Sequence, residues 1–277
     1  MFFTLLLFTL SPALSIFIFF ILVASMRWVR LRRQSVEIVG LDPALAGLKI
    51  LHLTDLHNRS KSRKTINIWP KIFRQDFDIA VITGDLITGD FKNILPHAED
   101  LKTLAASVPT YFVEGNHDVL YRDRIGVFLE GLGIRYLHNE KVLCSHNDAP
   151  FYVIGTREFT DLRHHHFKQI RPLMTSAYDF PSAFKLVLTH QPQTFTHLKT
   201  YAPSLVLSGH THGGQIRLPF VPTLFAPNQG LFPRYGSGFY HEGAATLYVS
   251  RGIGATTFPF RFWNRPEINI FELHRKG

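Results

Sequence analysis

Cysteine is nearly missing: Cys144 stands alone among 277 residues. No intrachain disulfide can form, and no cysteine-based zinc site can be assembled. The lone thiol reads as a small core residue. Charge is missing from residues 1–26, MFFTLLLFTLSPALSIFIFFILVASM, which hold no Asp, Glu, Lys or Arg. No internal repeat is visible. A broad basic surface is also lacking. Of the formal net charge of +9, four positives sit together at Arg27, Arg30, Arg32 and Arg33. The rest is dispersed, so no nucleic-acid partner is expected.

The uncharged stretch is itself informative. A membrane-crossing helix needs about 20 mainly apolar residues, and residues 1–26 meet that length. Pro12 would mark a kink or a helix boundary. A cleaved signal peptide would carry its positive charges before the apolar run. Here they follow it, which orients the remainder of the chain towards the cytoplasm. The expected organisation is a transmembrane anchor over 1–26, a basic juxtamembrane linker over 27–46 and a folded domain over 47–277. The linker arginines face water and contact anionic headgroups.

Beyond the linker, short apolar runs alternate with polar, helix-like stretches. Strands are predicted at 49–56, 78–83, 110–113, 151–154, 185–189, 204–208, 246–250 and 268–273. Runs such as Ile79-Ala80-Val81-Ile82 suit strands buried on both faces. Helices are predicted near 61–75, 92–106, 122–131 and 193–199. This alternation predicts an α/β layered fold.

Five polar clusters each follow an apolar run: Thr54-Asp55-Leu56-His57, Gly84-Asp85, Gly115-Asn116-His117-Asp118, Thr189-His190, and Gly209-His210-Thr211-His212-Gly213-Gly214. Open α/β sheets bind ligands at the carboxyl ends of their strands. The clusters should therefore meet in one crevice. They offer oxygen and nitrogen donors and no thiolate, which suits Mn, Fe or Zn. Each cluster alone is a weak signal, since Gly, Asn and Asp also make ordinary turns. Their shared order and placement is the stronger one.

The pattern D-x-H, G-D, G-N-H-D, a lone H and G-H-T-H resembles the calcineurin-like metallophosphoesterase superfamily across Asp55 to His212. That resemblance implies a two-sheet sandwich flanked by helices, and a hydrolase acting on phosphoester or phosphoric anhydride bonds. It implies two divalent metal ions, Mn first with Fe or Zn as alternatives. Asp55, His57 and His212 would hold one ion, and Asn116, His190 and His210 the other. Asp85 would bridge them. His117 would act catalytically, with Asp118 either orienting it or capping a following helix. Thr54, Thr189 and Thr211 would support the ligands, or be ordinary strand-end residues.

The segments GHTHGGQIRLP, Tyr248–Gly252 and Asn264–Ile268 further resemble a bacterial membrane-associated branch. It comprises YkuE-like phosphodiesterases and a transmembrane UDP-2,3-diacylglucosamine pyrophosphatase of lipid A synthesis. This likeness implies a single-pass protein of the inner (cytoplasmic) membrane acting on a phosphorylated small molecule or lipid. A phosphodiesterase of soluble substrates is the alternative. A non-catalytic membrane scaffold would be expected to carry a broken ligand set.

Several features lie outside these motifs. The Pro- and aromatic-rich stretch Ile216–Tyr240 cannot be one regular element. Its Phe220, Phe225, Phe232 and Phe239 either fill a core, dip into a bilayer or line an acyl groove. Arg217, Arg234, Arg251, Arg261 and Arg265 are candidates for a second phosphate. His164-His165-His166 reads as a polar loop, and His52 as a packed histidine.

Overall fold

The computed structural model describes residues 28–57, 68–158, 167–176, 183–214, 217, 223–254 and 261–277, together with the isolated residue 12. The strands, in chain order, are β1 (Arg30–Val39), β2 (Lys49–Leu53), β3 (Ile79–Thr83), β4 (Thr110–Val113), β5 (Arg135–Tyr136), β6 (Glu140–His146) and β7 (Ala149–Gly155). They continue with β8 (Phe184–Leu188), β9 (Leu205–Ser208), β10 (Phe225–Ala226), β11 (Gly230–Leu231), β12 (Gly238–Glu242), β13 (Ala245–Val249) and β14 (Glu267–Lys276). The helices are α1 (Trp69–Ile72), α2 (Ala98–Ser107), α3 (Arg122–Gly131), α4 (Phe167–Ser176) and α5 (Phe195–Leu198). Two six-stranded sheets result, ordered β1-β14-β2-β3-β4-β5 and β12-β13-β9-β8-β7-β6.

The continuous apolar strands divide their side chains between two cores, as a period of two requires. In β3, Ile79 and Val81 join the layer between the sheets, while Ala80 and Ile82 face the outer layer with Leu101, Leu104, Ile125 and Leu129 of α2 and α3. In β8, Leu186 and Leu188 turn inwards and Val187 turns out towards Phe195 and Leu198 of α5. Helices thus cover both outer faces, in the expected sandwich. Fully burying each such aliphatic side chain contributes about 1.5–3 kcal/mol.

The differences from expectation have local causes. The helix predicted over 92–106 is split: residues 91–97 form a 3₁₀ turn containing Pro96, and α2 follows. Proline has no N–H to continue an α-helical ladder. Most of the stretch predicted as helix at 61–75 lies outside the described residues, as do His164–His166 and all of the apolar stretch 1–26 but Pro12. Among the described residues, no helix is long and apolar enough to cross a membrane.

Residues 30–39, read above as linker, instead form β1 and pair in parallel with β14, from Arg30 opposite Glu267 to Val39 opposite Lys276. Val36 and Ile38 point into the inter-sheet core. Arg32 approaches Glu267 at 3.5 Å, and Arg33 donates to Gln75 Oε1 at 3.1 Å. Two of the four clustered arginines therefore serve the domain's own edge strand. Cys144 is half-buried on β6, its sulfur 3.1 Å from the Tyr111 hydroxyl.

Candidate active site

The segments leaving β2, β3, β4, β8 and β9 are tied together by their own backbone. Asp55 N donates to Gly84 O and His57 N to Asp85 O, both at 3.0 Å. His117 N donates to Asp85 Oδ1 at 3.0 Å. Gly209 N donates to His190 O at 3.1 Å, and His210 N reaches both Asp55 carboxylate oxygens at 3.2 Å. All five sequence clusters thus meet at one edge of the sandwich, where the carboxyl ends of strands from both sheets face each other.

The backbone there is strained. Asp55, His57, Asp85, His210 and His212 all have φ between 45° and 70°. Non-glycine residues take this left-handed conformation at a cost of about 1–3 kcal/mol each. The turns aim their side chains inwards. Two glycines make room. Gly84, at φ 83°, would place a Cβ 2.5 Å from Gly115 N and 2.7 Å from His190 Nδ1. Gly252, at φ 67°, would place one 2.6 Å from the Cβ of Asp55.

Three overlapping groups of donors result: Asp55, His57 and His212; His57, Asp85 and His117; Asp85, His190 and His210, each with ligand atoms within 4.8 Å of one another. Asp85 is shared. Its Oδ2 lies 3.5 Å from His57 Nε2 and 3.3 Å from His190 Nε2. Ring nitrogens also face one another, His57 Nε2 to His212 Nε2 and His190 Nε2 to His210 Nδ1, each pair at 3.2 Å. The buried Asn116 Oδ1 has no hydrogen-bond partner. Imidazole nitrogens that face one another beside two carboxylates, with an unpartnered amide oxygen next to His117 in sequence, make an arrangement that a cation completes. The residues present fit divalent metal ions.

Charge is already set for that role. Burial would raise Asp55, but His212 and the hydrogen bond from His57 hold its carboxyl well below the usual range. Asp85 is held low in the same way, chiefly by His190 against its own burial. Burial lowers His210 to about 4 and His212 to about 3, leaving their lone pairs free at neutral pH. His190 goes the other way: burial disfavours its charge, yet Asp85 raises it well above the ordinary value.

The outer faces of the histidines are held too. His57 Nδ1 lies 2.5 Å from Thr88 Oγ1, and His190 Nδ1 lies 2.8 Å from Thr83 O. Thr54 donates to Thr83 O at 2.9 Å and to Asp55 Oδ2 at 3.0 Å, as expected of a supporting residue. Thr211 donates instead to Gly236 O at 2.6 Å, and Thr189 N pairs with Leu207 O. Sequence reasoning missed Thr88, Asn228 and Asn264. Asn228 Nδ2 is 3.2 Å from His210 Nε2, and Asn264 donates to His212 O at 2.6 Å. They come from loops without a motif, and only the Asn264-Arg265-Pro266 segment gave any signal.

His117 is half-buried, its ring edge-on to His57 at 5.1 Å between centroids. Asp118 fills neither role expected of it. Its buried carboxyl accepts from Gly115 N at 2.9 Å and Ile87 N at 3.0 Å, splinting two loops, and gives no cap to the following turn. Burial, with Asp85 nearby, pushes it up to about 7. Arg261 is no free phosphate arm. It is buried, donates to Arg251 O at 2.7 Å and sits 3.1 Å from His212 Nδ1. His52, packed 2.8 Å from Thr83 Oγ1, is lowered by burial to about 3, as a core histidine should be.

A half-buried histidine beside paired acidic and imidazole donors, at the strand ends of a double-sheet sandwich, defines a metal-dependent phosphoesterase centre. The chain belongs to the calcineurin-like phosphoesterase family, whose signature matches residues 48–214, and it is a phosphoester-hydrolysing enzyme. It is similar to the metallophosphoesterase YkoQ of Bacillus subtilis, 29% identical over 275 residues, covering 95% of this chain and 98% of that one. It is also similar to phosphodiesterase YaeI of Escherichia coli, 31% identical over 235 residues, covering 82% and 83% respectively. A "transmembrane protein with metallophosphoesterase domain" of Danio rerio is 30% identical over 255 residues, 86% of this chain and 56% of that protein.

Proposed function

We propose that this chain is a membrane-anchored, dinuclear phosphohydrolase that cleaves a phosphoester or pyrophosphate bond in a lipid-linked substrate of the UDP-2,3-diacylglucosamine type. The observation that carries the chemistry is the three overlapping groups of carboxylate and imidazole atoms around Asp85, the atoms of each group within 4.8 Å of one another. Asp55, His57 and His212 would hold one divalent ion and Asn116, His190 and His210 the other, with Asp85 between. Two such ions, Mn first with Fe or Zn as alternatives, would supply an activated water and would neutralise charge gathering on the phosphoryl group.

The protein's own residues do the rest. Ionised Asp55 and Asp85 with neutral His210 and His212 present lone pairs without prior proton loss. His190 must release its proton before it can ligate, so ion binding weakens as pH falls. His117 stands at the edge of the cluster with its backbone pinned to Asp85. From there it can meet a phosphoryl oxygen or protonate the leaving oxygen. The lipid-linked reading is supported by the uncharged residues 1–26 and the arginines that follow. The Danio rerio relative, named as a transmembrane protein, points the same way. The name of YaeI supports a second reading, a phosphodiesterase of soluble diesters.

The test is hydrolysis by purified full-length protein, stripped of metal and given Mn²⁺. It is offered bis-p-nitrophenyl phosphate, p-nitrophenyl phosphate and UDP-2,3-diacylglucosamine in detergent, with Asp85→Asn as control. Metal-dependent release of UMP from the lipid supports the leading reading. Cleavage of the small esters alone leaves the soluble-diester reading standing.

A further inference from the structure

The strand register fixes where the chain enters the domain. β1 runs parallel to β14 with Arg30 opposite Glu267, and β14 runs antiparallel to β2 with Asn269 opposite His52. The start of β1 is therefore level with the carboxyl end of β2, which carries Asp55 and His57. Four Cα-to-Cα steps, with three residues between, separate Met26, the end of the uncharged run, from Arg30. Fully extended, they span at most roughly 14 Å. With β1 beginning at Arg30, no long linker is left to hold the domain away from whatever residues 1–26 occupy.

The same edge presents apolar side chains that the fold does not cover. Trp28 is 63% exposed, and the Arg265 guanidinium lies 5.6 Å from its ring centre. Two residues before Arg265, Trp263 is 53% exposed, and between them Asn264 holds His212. On the neighbouring hairpin, Phe225 and Leu231 face each other across β10 and β11, 52% and 74% exposed. Phe232, 70% exposed, is held at φ 51°. Asn228 in the turn of that hairpin touches His210. A bulky residue kept both strained and in water gains nothing from folding. Indole rings with arginines beside them suit a headgroup layer.

We propose that the metal-bearing edge is a bilayer-docking face. Phe225, Leu231, Phe232 and Trp263 enter the interfacial layer of an anionic membrane, while the exposed Arg30 and Arg265 meet its headgroups. The opening of the site then looks into the membrane surface, and substrate is taken from there. The short tether selects a lipid surface over a second copy of the chain. This inference rests on the reading of residues 1–26 as a membrane span.

Tryptophan placement makes it testable. The chain has three tryptophans, and Trp69 is buried at 1% exposure. Full-length Trp28→Phe protein keeps Trp263 as the one exposed reporter. It is reconstituted into phosphatidylcholine–phosphatidylglycerol vesicles with acyl chains brominated near the headgroup. The protein is expected to float with the vesicles, and Trp263 emission to fall at least twofold. Adding Leu231→Ser and Phe232→Asn should restore most of that emission without loss of flotation; asparagine tolerates the left-handed backbone at 232. Flotation with unquenched Trp263 overturns the docking face alone. Failure to float overturns the membrane span and the docking face with it. A concentration-dependent dimer in detergent that shields Trp263 overturns the choice of lipid as occupant.

Discussion

Two buried polar clusters meet at the end of β4 and are built in opposite ways. Around Glu114, just before Gly115, every charge is answered within the protein. Arg122 donates to its carboxylate through Nε at 2.8 Å and through a terminal nitrogen at 2.7 Å. The Tyr136 hydroxyl donates at 2.5 Å and Glu158 N at 3.3 Å. Around Asp85, by contrast, imidazole nitrogens confront one another, an amide oxygen has no partner, and the backbone is strained at five positions. A structural cluster closes on itself. A cluster built to hold something else is left open, and the fold supports the cost from around it.

The sharpest way to break that contrast is Asp85→Asn, which removes the shared carboxylate. Turnover should fall by about 10³-fold or more, and metal analysis of the purified variant should show ion lost with it. Chelation of the wild type should give the same loss, reversed by Mn²⁺. Next comes His117→Ala, expected to retain metal while losing about 10²–10³-fold in kcat on an unactivated ester. Wild-type turnover there, at full metal content, would remove His117 from the chemistry.

On the closed side, Glu114→Gln should leave bound metal per folded molecule unchanged yet cost ~3 kcal/mol in denaturant unfolding, because Arg122 loses its buried partner. The smallest effect concerns Glu158, which is buried and accepts a hydrogen bond from Gln191. Burial pushes its carboxyl up to about 8 from an ordinary 4.5. The folded state thus binds a proton that the unfolded state has released between those values. This contribution to stability is full below pH 4.5 and is lost as pH rises towards 8. Glu158→Gln should flatten that stretch of the stability profile, leaving the variant ~1–2 kcal/mol more stable than wild type at pH 8.5. Matching profiles would place the ionisation elsewhere.

Much of the open cluster was legible in the sequence because each candidate ligand follows a strand that reads as buried on both faces. Two constraints then coincide at one point: the strand must end, and its next residues must be polar. The closed cluster gave no such signal, since Glu114 and Arg122 look like a loop residue and a helix start. Strand β1 was missed because its first half is arginine-rich, which hid the alternation of Val36 and Ile38. Charge is also what an edge strand carries to discourage pairing with other chains. Asp118 was misread because sequence places it beside His117, whereas its side chain turns back to the amides of Gly115 and Ile87. Phe239 packs on Tyr248 and Phe271 while Phe225 and Phe232 are exposed, a division that composition cannot make. Phe220 lies outside the described residues.

The left-handed backbone at Asp55, His57, Asp85, His210 and His212 has an evolutionary consequence. Glycine occupies that conformation without the steric cost that a Cβ brings. Substitution to glycine at any of these five positions relieves strain while removing a candidate ligand. Mutational drift in a copy freed from selection for turnover therefore runs downhill in folding energy. Inactive descendants of such an enzyme should be sturdier than the parent and accumulate readily as folded relics, recognisable by glycine where this chain keeps aspartate and histidine.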